Sequence, residues 1–141
     1  MASDTGVMHA PDVVAVFNTS PDTIELLRLT LQPAGIVAVS AYTYEVRDGK
    51  IDLNAFMAAH RPQVIIYDVA PPYDANWRLL QHVRSNPAVK GVRWLITSTN
   101  PVHVEKLAGG DETIYEVVGK PYDLDRIAAA TKEALRSRPT R

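Results

Sequence analysis

The chain has 141 residues, 46% hydrophobic and 22% charged, the size and composition of one globular domain with a full core. Its formal net charge of −1 gives no electrostatic case for nucleic acid, and the lack of cysteine excludes disulfides and thiolate metal sites and fits a reducing compartment. No apolar run approaches membrane-spanning length, and residues 1–12 have neither the basic start nor the apolar core of a signal peptide. The expectation is a cytoplasmic protein with a disordered tail over 1–12, a domain over 13–136 and a frayed basic tail over 137–141.

Val13 to Phe17 is a continuous apolar, β-branched run, which reads as a strand buried on both faces. Ser20 then offers an N-cap and Pro21 suits a first helical position. The first helix should run to about Gln32 with Ile24, Leu27 and Leu31 inward, until Pro33 and Gly35 end it. Ile36 to Tyr42 is a second strand. Thr43 to Ile51 carries the turn signal Asp48-Gly49. A second helix follows, with Leu53, Phe56, Met57 and His60 at helical spacing and His60 at its end rather than acting as a ligand.

Val64-Ile65-Ile66-Tyr67 is a third buried strand, and it ends abruptly in Asp68 before the loop containing Pro71-Pro72. Taken alone, Asp68 is an ordinary turn residue. A third helix spans roughly Asn76 to Arg84, with Trp77, Leu80 and Val83 as its core stripe. Val92 to Ile96 is a fourth strand running into the hydroxyls of Thr97, Ser98 and Thr99. Pro101 to Ala108 is a short fourth helix closed by Gly109-Gly110. Thr113 to Val118 is a fifth strand ending at Gly119-Lys120-Pro121. The last helix, Leu124 to Leu135, carries Leu124, Ile127, Ala128, Thr131 and Leu135 on one stripe.

Strands that alternate with helices need crossovers, hence a mostly parallel sheet with helices on both faces. The predicted fold is a flavodoxin-like, doubly wound α/β (βα)5 domain of strand order 2-1-3-4-5, with its cleft at the C-terminal ends of the first and third strands. That topology gathers Asn18 and Thr19, Asp68, Thr97 and Ser98, and Lys120 and Pro121 at one edge. A carboxylate there can attack phosphorus and form an acyl phosphate, while a hydroxyl and an ammonium hold phosphoryl oxygens. A structural Asp–Lys ion pair capped by threonine is the plainer account. The joint placement on three strand ends favours the functional one.

These residues resemble the receiver domain of two-component response regulators, over about Val13 to Leu135. The matching motifs are Ile-Ile-Tyr-Asp with Pro72 four positions after the Asp, Thr97 at a strand end, and Lys120-Pro121 followed by Tyr-Asp-Leu-Asp. Ser-Pro-Asp-Thr-Ile-Glu-Leu-Leu at the first helix is also similar to the family. The resemblance implies a phosphoacceptor role for Asp68, a switch hydroxyl at Thr97 and a phosphoryl-binding lysine at Lys120. Thr19, Ala70, Pro72, Ser98, Val117 and Pro121 complete the surroundings, with a cis peptide expected before Pro121. It also implies a sensor histidine kinase or phosphotransfer protein as partner. A downstream protein, or a second copy in a homodimer, would bind the face formed by the fourth helix, fifth strand and fifth helix.

The chain departs from the family in three places. The two acids that hold Mg²⁺ in the family fall on Asn18 and Thr19. The metal set is reduced to Asp68 and the Asn18 carbonyl, so Mg²⁺ binding should be weak. The family's switch aromatic falls on Val117, with Tyr115 out of register. The segment between the second strand and the second helix is a few residues longer than is usual in the family. Asp68 and Lys120 sum to zero charge, so the site is expected to stand closed without metal, with Lys120 neutralising Asp68 and phosphorylation slow.

The leading reading is an atypical receiver protein that acts by protein–protein interaction, with no nucleic acid, no membrane and no organic cofactor. It is not an enzyme beyond self-catalysed phosphorylation and dephosphorylation. Either Asp68 is phosphorylated, or the chain is a phosphorylation-independent docking module. A flavodoxin-like FMN electron carrier is the rival of another class, although the loop after the first strand has no glycine. A small acid–base enzyme using Asp68 and Lys120 is a third, and the scattered His9, His82 and His103 lend it nothing.

Overall fold

The computed structural model describes residues 11–119 and 124–136. The expected Lys120 and Pro121, the cis bond before Pro121, and the bulk of both expected tails lie outside these residues. Among the described residues no helix is long and apolar enough to cross a membrane.

Five strands form one parallel sheet in the predicted order, β2-β1-β3-β4-β5. They are β1 (Asp12–Asn18), β2 (Ile36–Tyr42), β3 (Val64–Asp68), β4 (Arg93–Ser98) and β5 (Ile114–Gly119). β1 begins one residue before the expected domain start, because Asp12 pairs with Ile36. Gln63 secures that end, its side-chain carbonyl accepting from the Val13 N–H at 2.8 Å.

Among the described residues six α-helices connect and cover the strands: α1 (Pro21–Leu31), α2 (Thr43–Arg47), α3 (Leu53–His60), α4 (Tyr73–Arg84), α5 (Pro101–Ala108) and α6 (Leu124–Arg136). α1 starts as its sequence dictates: the Ser20 hydroxyl accepts from the Thr23 N–H at 3.2 Å, with Pro21 at the first position. Gly35 ends the 3₁₀ turn that follows, at φ 76°, a conformation suited to glycine.

Two helices differ from the sequence expectation. α4 begins at Tyr73, three residues before Asn76, because Pro72 serves as an extended N-cap without any side-chain cap bond. The stretch expected to be only a turn contains α2, a single five-residue helix that ends at Asp48 and Gly49. The crossover from β2 to β3 is therefore made in two pieces, α2 and then α3.

The sheet separates two apolar cores. One packs Phe17, Tyr67, Trp77, Leu80, Trp94 and Ile96 on the side of α3, α4 and α5. The other packs Val16, Leu27, Leu31, Ile66, Leu95 and Ile127 on the side of α1 and α6. Trp77 is a core residue, as its spacing suggested. His60 ends α3 with its ring 4.7 Å from Phe56.

Candidate functional site

Val64 to Tyr67 are buried on both faces of the sheet, so the apolar run carries Asp68 to the sheet's C-terminal edge and buries it to 4% exposure. The parallel register sets Asp68 beside Thr97, which is 1% exposed. The Thr97 hydroxyl donates to Asp68 Oδ1 at 2.6 Å, a short charge-assisted bond. The backbone follows suit, with the Val69 N–H donating to the Thr97 carbonyl at 2.9 Å. Carboxylate and hydroxyl are thus brought together as the sequence predicted.

The other expected residues have distinct places. Asn18 is 2% exposed, and its side-chain carbonyl accepts from the Thr19 N–H at 2.8 Å and the Ser20 N–H at 3.1 Å. The Ala70 carbonyl accepts from the Asn76 side-chain amide at 2.7 Å. The Ser98 hydroxyl accepts from the Asn100 N–H at 3.2 Å, which shapes the loop into α5. Pro72 precedes α4 and follows a cis Pro71–Pro72 bond. Val117 is half-buried and pairs with Ile96, one register position below the Thr97–Val118 pair. Tyr115 packs against the α1–α6 core and lies beneath the Arg93 guanidinium, 6.0 Å from its ring centre.

This donor set does not fit a divalent ion. Mg²⁺ demands several hard oxygen ligands in octahedral array, anionic by preference. Here the Asn18 oxygen already accepts two N–H bonds, the Ala70 oxygen accepts one, and Asp68 Oδ1 accepts the threonine hydroxyl. Among the described residues no three His, Cys, Asp or Glu side chains gather as a metal site. The weak ligand role expected of Asn18 therefore meets a physical obstacle: its oxygen closes its own loop. The same two N–H bonds count against flavin phosphate, because two donors of the β1–α1 loop are turned inward and Pro21 has none to give.

Asp68 opens into a cleft of about 580 Å³. Thr19, Ala70, Pro72 and Asn76 line it, together with three residues that sequence reasoning missed: Thr43, Tyr44 and Arg47, all from α2. A signal for them existed. β1 and β2 pair in register from Asp12↔Ile36 to Asn18↔Tyr42, so whatever follows Tyr42 starts at the edge where Asn18 ends. The Tyr44 ring stacks on Tyr42, 5.1 Å apart and 12° from parallel. Burial, and then the Asp68 charge, push the Tyr67 phenol well above the ordinary tyrosine range, so it lines the cleft as a neutral group.

Beyond Asp68 and Thr97, side chains tie the two loops together. The Tyr73 hydroxyl bonds that of Thr99, and His103 Nε2 lies 2.7 Å from Asp74 Oδ1. The start of α4 is thereby held to the start of α5.

No protein-family model matches the chain, and no curated protein matches it. Solved structures do. The response regulator receiver protein of Pseudomonas putida superposes with a TM-score of 0.67 at 19% identity, over 89% of this chain and 99% of its own. The two-component response regulator of Clostridium difficile gives 0.67 at 19% identity, over 89% and 97%. The chemotaxis protein CheY4 of Vibrio cholerae gives 0.68 at 22% identity, over 88% and 98%. At such identities the likeness speaks for architecture: the chain has the CheY-like fold of response-regulator receiver domains.

Proposed function

We propose that the chain is a receiver module of two-component signalling in which Asp68 is the phosphoacceptor. One observation carries the reading. On a receiver fold, the carboxylate ending β3 opens into a cleft and holds a threonine hydroxyl from the next strand at 2.6 Å. In the reaction an Asp68 oxygen attacks phosphorus, the bond from phosphorus to the donor's leaving group breaks, and an acyl phosphate forms on Asp68. The Thr97 hydroxyl, released from the carboxylate, can then donate to a phosphoryl oxygen. Lys120 supplies positive charge by analogy with the family. The donor is a sensor histidine kinase or a phosphotransfer protein. Output is by protein contact through α5, β5 and α6, where Val102 is 62% exposed and Glu116 pairs with Arg126 across β5 and α6.

A second reading keeps the fold and drops the chemistry: a docking module that does not depend on phosphorylation. It is favoured by the hydrogen bonds that already engage the side-chain oxygen of Asn18, Oδ1 of Asp68 and the Ala70 carbonyl. Incubation with acetyl phosphate, with and without Mg²⁺, followed by intact mass spectrometry separates the two. The phosphoacceptor reading expects a gain of one phosphoryl group that Asp68→Ala abolishes. A folded wild-type protein that gains nothing, from acetyl phosphate or from a phosphorylated histidine donor, selects the docking module.

A further inference from the structure

An anion that approaches Asp68 meets a buried negative carboxylate, and the metal that would screen it has no fitting ligands here. Another source of positive charge stands in the same cleft. Among its described lining residues Arg47 is the one cation and Asp68 the one carboxylate. Arg47 gets there because the β2–β3 crossover is broken: α2 stays at the Asp68 edge, and the chain descends only afterwards.

We propose that Arg47, with the Thr19 and Thr43 side chains, forms an oxyanion subsite for a small phosphorylated anion, and that it neutralises the phosphoryl group where a receiver would use a divalent ion. The inference rests on the phosphoacceptor reading for its chemistry, but not for its binding. A guanidinium presents a planar fork of N–H donors that matches two phosphoryl oxygens, and it is charged at every ordinary pH. Arg47 now forks onto its neighbour Asp48, at 2.9 and 3.3 Å. Both side chains are more than 40% exposed, at 58% and 45%. Such a surface pair is weak and exchanges readily, so a phosphoryl group can take the fork from Asp48. Thr43 is fixed at the first turn of α2 and 7% exposed, while Thr19 follows Asn18 at the end of the neighbouring strand, whose register sets Asn18 beside Tyr42. Asp68, Arg47, Thr19 and Thr43 therefore line one cleft, and the fork enters it on leaving Asp48.

The test has a binding arm and a transfer arm, both in EDTA. Inorganic phosphate is titrated while the Arg47 side-chain N–H and the Thr19 and Thr43 amides are followed by NMR. Wild type should show saturable shifts, unchanged when Mg²⁺ replaces EDTA. Arg47→Gln should bind at least tenfold more weakly, and Arg47→Lys in between, with circular dichroism confirming that both fold. In the transfer arm, acetyl phosphate should label Asp68 without metal and at least tenfold more slowly in Arg47→Gln. Equal phosphate binding by wild type and Arg47→Gln, or labelling that requires Mg²⁺, would overturn the proposal. Arg47-dependent phosphate binding without any labelling of Asp68, from acetyl phosphate or from a phosphorylated histidine donor, with or without Mg²⁺, upholds the subsite and refutes the phosphoacceptor reading instead.

Discussion

The Thr97 hydroxyl donates to the Asp68 carboxylate where both side chains are almost wholly buried. A buried carboxylate depends on donors close by, since an unmet charge in the interior costs far more than an unmet hydroxyl. Thr97→Val keeps the shape and removes the donor. It should lower stability by about 1–3 kcal/mol in urea unfolding, while Thr97→Ser recovers most of the loss. Asp68 and Thr97 were legible in the sequence because each ends a strand recognisable from its apolar run. Arg47 was not, since its importance lies in where a short helix places it, and five residues are too few to show a helical period. The Asn18 carbonyl was legible as an oxygen but not as one already engaged, because an N–H two residues away leaves no mark in spacing.

At the scale of elements, the end of the sheet away from Asp68 is held by charge. Arg84, near the end of α4, pairs with Asp111 before β5, and its guanidinium lies 5.7 Å from the centre of the Trp94 ring. Burial works against ionising Asp111, but hydrogen bonds from Thr113 and the Arg84 guanidinium outweigh it and hold the carboxyl down at about 2, from an ordinary 3.8. A carboxyl whose folded pKa is lowered stabilises the fold fully above its unfolded value and loses that contribution as pH falls toward its folded one. Urea unfolding should therefore show on the order of 2 kcal/mol of stability lost through Asp111 between pH 4 and pH 2, and Asp111→Asn should remove that part of the pH dependence. Elements were legible where cap and period agree, as in α1, or where the apolar stripe is long, as in α6. α4 was read late because Pro72 gives no side-chain signal of a start, and α2 was read as a turn because Asp48-Gly49, which ends it, is a turn.

For the molecule as a whole, the central strands β1, β3 and β4 each contribute side chains to both cores, so neither face of the sheet can open without exposing the other's backing. Leu80→Ala on one face and Leu27→Ala on the other should each cost about 2–5 kcal/mol and shift one shared unfolding transition rather than split it. The architecture was the most legible level of all, because alternation of strand and helix leaves few topologies once crossovers must be right-handed. The broken crossover bears on how such a fold changes over time. Val46 packs onto one core, yet no residue of α2 pairs with a strand. Substitutions in Thr43–Arg47 can therefore alter what the Asp68 carboxylate meets while leaving the sheet intact, so this stretch is where new specificity can evolve at small cost to folding.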